Sequence, residues 1–175
     1  MSPFAQNFNV VVSLFGILAQ VVTLLLLASL IFKKDWYVNR VAKRYSIILA
    51  FLTALFGTVF SLVYSDVIGF APCTLCYVQR FFLYPQVAVL GVLLFRESIL
   101  ARKIALGLSS IGGGIALYHY YGQMFNVGAL ACDIGADGIS VCGQIPFIEF
   151  GYMTIPMLSL TSFILVIALL LPKRK

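Results

Sequence analysis

Long apolar runs separated by short polar segments dominate this chain. A spanning helix needs roughly 20 mostly apolar residues to cross a hydrocarbon core of about 30 Å. Five stretches meet or approach that length: Asn9 to Phe32, Ser46 to Tyr64, Cys76 to Phe95, Ile104 to Tyr121 and Tyr152 to Leu171. None alternates apolar and polar positions as a barrel strand does, and a helix satisfies its own backbone polar groups in lipid. The pattern predicts an all-α membrane protein of five spanning helices, forming a single integral membrane domain over residues 1–175.

Composition supports lipid as the solvent, because a chain 62% hydrophobic and 10% charged has too little polar surface to cover a soluble globule. Charge then orients the spans, since basic loops stay in the cytoplasm. Lys33, Lys34, Arg40, Lys43 and Arg44 lie between the first two runs, Arg96, Arg102 and Lys103 between the third and fourth, and Lys173, Arg174 and Lys175 at the end. This distribution predicts an outside N-terminus, a cytoplasmic C-terminus, and outward loops over about 65–72 and 122–151. Residues Met1 to Asn9 carry no charged side chain, so a cleaved signal peptide is not expected. The net charge of +6 comes from these cytoplasmic anchors and implies no nucleic-acid partner.

All four cysteines, Cys73, Cys76, Cys132 and Cys142, fall on the outward side of that topology. An extracytoplasmic compartment is oxidising and lets disulfides persist. Four cysteines admit three connectivities, and local spacing favours Cys73 with Cys76 and Cys132 with Cys142. The first pair forms a C-x-x-C at a helix start, after Pro72. There the helix dipole and free backbone amides stabilise a thiolate, the reactive form of cysteine. Arg80, the one cation outside the cytoplasmic clusters, stands one turn beyond Cys76 on the same face. Snorkelling to the interface is the plainer account of Arg80. Its coincidence with the C-x-x-C and with Gln79, at the depth where a lipid-soluble headgroup arrives, favours a tuned redox site.

The second pair lies in Cys132-Asp-Ile-Gly-Ala-Asp-Gly-Ile-Ser-Val-Cys142, a segment suited to docking a soluble partner. Two such pairs can relay electrons by thiol-disulfide exchange through mixed disulfides. A simple loop staple is the alternative for the second pair. A four-cysteine zinc site is not expected, because C-x-x-C and C-x9-C spacings lack the two close pairs of zinc modules.

These residues resemble the DsbB and BdbC family of disulfide bond formation proteins, whose motif C-x-L-C-x-x-Q-R reads here Cys73-Thr-Leu-Cys76-Tyr-Val-Gln79-Arg80. The resemblance continues through Tyr84-Pro85, Tyr118-His119-Tyr120-Tyr121 and Thr154-Ile155-Pro156, and covers roughly Ser46 to Phe163. It implies a four-helix transmembrane bundle over about residues 46–171 in the bacterial inner membrane. It also implies that the pair matching Cys73 and Cys76 reduces a quinone, ubiquinone or menaquinone, with Arg80 at the quinone site. The pair matching Cys132 and Cys142 then oxidises a DsbA-like thioredoxin-fold partner, within the system that keeps a bacterial periplasm oxidising. The run over about 9–32 departs from the family pattern as an additional N-terminal span. It is expected to pack on the bundle, with shielding of a quinone crevice or recruitment of a partner as further roles.

His119, the sole histidine, is expected beside the quinone as a hydrogen-bond donor or proton route, although an aromatic-belt role also suits it. Ser110 with Gly112, Gly113 and Gly114 predicts close helix packing, and Pro85 a tolerated kink. Asp66, Asp133, Asp137 and Glu149 read as solvated loop charges. The expected mechanism has a partner thiolate attack the Cys132–Cys142 disulfide, the new thiols reduce Cys73–Cys76, and Cys76, held by Arg80, deliver electrons to quinone. Two rivals differ from this: a vitamin K epoxide reductase-like bundle, against which Gln79-Arg80 argues, and a non-catalytic scaffold stapled by two disulfides, which predicts inert cysteines.

Overall fold

Each apolar run becomes a helix, and side-chain caps fix the starts of two of them. The computed structural model describes residues 3–32, 37–125, 141–143 and 145–171. It contains α1 (Pro3–Ile31), α2 (Tyr37–Leu62), a π-helical turn (Val63–Val67), α3 (Thr74–Phe95), α4 (Ile99–Met124), a 3-10 turn (Val141–Gly143) and α5 (Ile155–Leu170). Pro3 suits the first turn of α1, where its missing N–H has no partner to lose, so that helix begins well before Asn9. Ser98 caps α4 by accepting from the Ala101 N–H at 3.3 Å, which starts the helix ahead of Ile104. Tyr152 to Thr154 form a non-helical lead-in to α5, which opens with Pro156 in its first turn. Pro85 sits within α3 without interrupting it. The one non-helical residue inside a span is Tyr45 in α2 (φ −112°, ψ 15°), a break the sequence does not mark.

Four helices, covering Pro3–Ser29, Arg44–Val67, Thr74–Phe95 and Ile99–Met124, are long and apolar enough to cross a membrane, and α5 is a shorter apolar helix. The chain is a multi-pass membrane protein. Helices α2, α3, α4 and α5 pack in a closed ring, each against the next and α5 back against α2. Helix α1 lies outside this ring, mostly on α5 and only sparsely on α2.

Between helices in lipid there is no hydrophobic driving force, so close packing and interhelical hydrogen bonds hold the bundle. Helix α4 supplies a buried stripe of small residues, Ala101, Ala105, Ser109, Gly112, Gly113 and Ala116. Phe163 of α5 inserts against it, and a Cβ added at Gly112 would lie 2.5 Å from the Phe163 Cζ. The glycine expected to permit close approach therefore does so. Gly112→Ala should destabilise the bundle by about 1–3 kcal/mol through overpacking. Thermal unfolding in detergent checks this, and Gly114→Ala, where a Cβ meets nothing within 4 Å, is the control. A buried hydrogen bond from Gln86 Nε2 to Ser109 Oγ joins α3 to α4. Another set fixes α1 to α5: Gln20 Nε2 donates to Thr161 Oγ1 at 3.1 Å, and the Tyr152 hydroxyl donates to Gln20 Oε1 at 2.9 Å.

Candidate functional site

The site forms where α3 begins. Cys73 is the N-cap residue, with extended backbone (φ −74°, ψ 169°), and its sulfur accepts the Cys76 N–H at 3.4 Å. Sulfur thus takes the place of a capping oxygen and meets the partial positive charge of the helix start. Both residues are thiols, with their sulfurs 3.0 Å apart. Cys73 is buried and Cys76 half-buried.

Gln79 and His119 stand behind this pair. The Gln79 side-chain amide donates to His119 Nδ1 at 2.9 Å, which leaves the ring proton on Nε2. From there His119 reaches the Cys142 carbonyl at 3.2 Å and the Cys73 sulfur at 3.7 Å. Helical phase separates His119 from its neighbours, since it is fully buried while Tyr118 and Tyr121 are exposed. Cys142, in the 3-10 turn, is also fully buried and is disulfide-bonded. The Cys73 and Cys142 sulfurs and a His119 ring nitrogen all lie within 4.8 Å of one another. A disulfide sulfur offers no thiolate to a metal, so with Cys142 in that state the trio has only two competent donors.

The Cys73 pKa is lowered to about 4, first by the hydrogen bond from the Cys76 thiol and then by His119 and the Cys76 N–H, against the opposing effect of burial. The depressed value keeps the thiolate populated above about pH 4 and loses it as pH falls through that value. In the reduced protein, the alkylation rate of Cys73 should stay nearly flat from pH 9 to about 5, where an ordinary thiol slows about tenfold per unit below about 8.5. Removing one thiolate donor by His119→Leu should move the falling limb to higher pH. A wild-type rate that already falls tenfold per unit from pH 8 would exclude the low value.

Arg80 turns the other way. Its Nε donates to Ser61 Oγ at 2.8 Å and its Nη2 to the Ser61 carbonyl at 2.7 Å, in the last turn of α2 before the π turn. Its guanidinium also lies over the Tyr77 ring, 5.8 Å from the centroid. Among the described residues no carboxylate pairs with it. Cys76, Gln79, Arg80 and Ser61 line one part of a cavity of about 510 Å³, whose remaining walls are mostly apolar side chains of α1, α2, α3 and α5. His119 does not line it and connects to it through Gln79.

The structure thus gathers Cys73, Cys76, Gln79, His119 and Cys142 at one end of the bundle and places Arg80 on the cavity side. Cys132, Asp133 and Asp137 lie outside the described residues, as do most of the 122–151 loop and the basic residues Lys33, Lys34, Lys173, Arg174 and Lys175. Asp66 is exposed and Glu149 half-buried. Sequence reasoning missed Ser61, whose one signal was a hydroxyl in the outer part of an apolar run.

A family model described as disulfide bond formation protein DsbB matches residues 43–172. The SPbeta prophage-derived disulfide bond formation protein B of Bacillus subtilis is 37% identical over 73% of this chain and 84% of its own length. Disulfide bond formation protein C of the same organism is 36% identical over 74% of this chain and 90% of its own. A probable disulfide formation protein of Chlamydia trachomatis is 33% identical, over 73% and 91%. No solved structure matches the chain. The whole of α1 precedes the family match.

Proposed function

The chain belongs to the DsbB family of disulfide bond formation proteins and is an oxidoreductase, and from that premise we propose that it reoxidises a DsbA-like thioredoxin-fold partner and passes the electrons to a membrane quinone. The observation that carries this reading is the meeting of Cys73, His119 and Cys142 within 4.8 Å, while Cys76 opens onto the Arg80 cavity.

The relay begins when a partner thiolate attacks the disulfide of Cys142, paired with Cys132. A second partner thiolate completes the exchange, so the partner gains a disulfide and Cys132 and Cys142 become thiols. The Cys142 thiolate attacks the Cys73 sulfur of the Cys73–Cys76 disulfide and Cys76 leaves. Attack by Cys132 on Cys142 then releases Cys73. Leaving is faster for a low-pKa thiol, and the Cys76 thiol, the Cys76 N–H and His119 all stabilise the departing Cys73 sulfur. When Cys73 and Cys76 close again, they give up two electrons and, with Cys73 already a thiolate, the one proton of the Cys76 thiol.

The residues lining the cavity fit a quinone: Arg80 and Gln79 beside Cys76 suit carbonyl oxygens, and the apolar remainder suits a hydrophobic tail. A bound quinone supplies the two-electron acceptor. Arg80 is preset by Ser61 and keeps further N–H groups for a ligand oxygen. Gln79 links the cavity to His119, whose Nε2 lies 3.7 Å from the Cys73 sulfur.

The whole chain acts as one integral membrane unit in the bacterial plasma membrane, with both cysteine pairs on the extracytoplasmic side. Arg44 near the start of α2, Arg96 at the end of α3 and Arg102 in α4 support this orientation, since they cluster at the ends of their helices opposite Cys73. Purified protein, a reduced DsbA-like substrate and a quinone are expected to give quinone reduction followed optically, with one partner disulfide formed per quinone consumed. Absence of electron flow, together with cysteines inert to mild reductant, would favour a stapled scaffold.

A further inference from the structure

We infer that α1, which lies wholly outside the family match, forms one wall of a groove that holds the isoprenoid tail of the quinone; this rests on the quinone reading above. The cavity carries its charged and amide groups near Cys76, Gln79, Arg80 and Ser61; farther along it is mostly apolar, and the hydroxyls of Thr53, Thr161 and Ser162 in its lining are turned to carbonyls of their own helices. Its α1 wall runs from Val12 to Val22, about 15 Å at the helical rise, and includes Phe15, Gly16 and Ala19. Opposite stand Leu52, Phe56 and Gly57 of α2. A ligand filling this space has a polar head at the redox pair and a long apolar chain.

Packing explains why the groove exists. Helix α1 is drawn onto α5: Gln20 is held between Thr161 and Tyr152, and Leu26 is buried in the main core. Gly16 permits the close approach, because a Cβ there would lie 2.5 Å from Leu158 Cδ2. Toward α2 the helix makes few contacts, so a slot remains between them. At the end near the cysteines this slot is closed by Phe8, whose ring packs edge-on against Phe60 and Tyr64 with centroids 5.8 and 5.2 Å apart. Farther along, Phe15, Leu18, Leu52 and Phe56 are exposed on the lipid side. A tail therefore leaves sideways into the bilayer, while the aromatic cluster separates the head from water.

The test uses the full chain in nanodiscs with a quinone carrying a diazirine on its tail, followed by peptide mapping. Adducts are expected on α1 between Val12 and Val22, displaced by unlabelled long-tailed quinone but not by a tailless analogue. Ala19→Phe, which fills the groove, should cut that labelling at least about tenfold and raise the ratio of KM for tailed to tailless quinone by a similar factor. Leu24→Phe, at an exposed position that does not line the cavity, should change neither. Labels confined to α2 through α5, an unchanged ratio in Ala19→Phe, or α1 labelled by a diazirine phospholipid and not by the quinone would overturn the inference alone. A wild type that reduces neither quinone overturns the relay and this inference together.

Discussion

Replacing Cys76 with serine is expected to lower quinone reduction at least about a thousandfold, as loss of a nucleophile acting within a unit does, and to trap a Cys73–Cys142 disulfide. The trapped species follows from the geometry. Cys73 loses its partner three residues on, and the nearest remaining sulfur is Cys142, within 4.8 Å. The Cys73 thiolate attacks Cys142 and the other sulfur of that disulfide leaves as a thiolate; with Cys76 gone, only that displaced thiolate can reverse the step, and alkylating it holds the Cys73–Cys142 bond. Mass spectrometry of a non-reduced digest checks the outcome. A free, alkylatable Cys73 with Cys142 still in its original disulfide would rule out direct exchange between the pairs.

Arg80→Ala should reduce kcat/KM for quinone about 10²- to 10³-fold, the usual effect of deleting a preorganised donor at a site of developing charge. Exchange between the two cysteine pairs should survive, because Cys73, His119 and Cys142 meet one another while Arg80 is turned away onto Ser61 of α2. Stopped-flow measurement of inter-pair exchange alongside steady-state quinone turnover separates the two steps. Arg80→Lys should recover only part of the loss. A lysine retains the charge but cannot hold Ser61 Oγ and the Ser61 carbonyl with a planar fork while offering further N–H groups to a ligand. Equal losses in both steps would instead make Arg80 a structural residue of the bundle.

The helices were legible in the sequence because lipid imposes a length and an apolar composition that short-range patterns reveal. The C-x-x-C at the head of α3 was equally plain, since capping is local chemistry. Helix ends were less so: Ser98 sets the start of α4 by capping and Pro156 suits the first turn of α5, where hydropathy alone placed them several residues inward or outward. What escaped prediction depends on rotation of one helix against another. The Arg80 contact with Ser61 requires the phase of α2 against α3, and the inward aim of His119 among outward tyrosines requires the phase of α4. The seat of α1 on α5 escaped for a different reason. Hydropathy alone reads it as apolar, and the signal lies in small and polar residues at helical spacing, Asn9, Ser13, Gly16, Gln20 and Thr23, of which Asn9, Ser13 and Thr23 are buried, Gln20 bonds Thr161 of α5 and Gly16 lets Leu158 of α5 approach.

The burial of Cys73 and Cys142, 7% and 0% exposed, has a consequence for leakage. Small cellular thiols have the chemistry to reduce either pair, and a relay open to them would burn oxidising power on idle cycling. Here the junction between the pairs is roofed by protein, so such a molecule is kept from it by size whatever its potential. On the relay proposed above, electrons would enter through a docked donor and leave on the cavity side of α3, so that steric access would set the order of transfer and one turn of helix would insulate one circuit from the other.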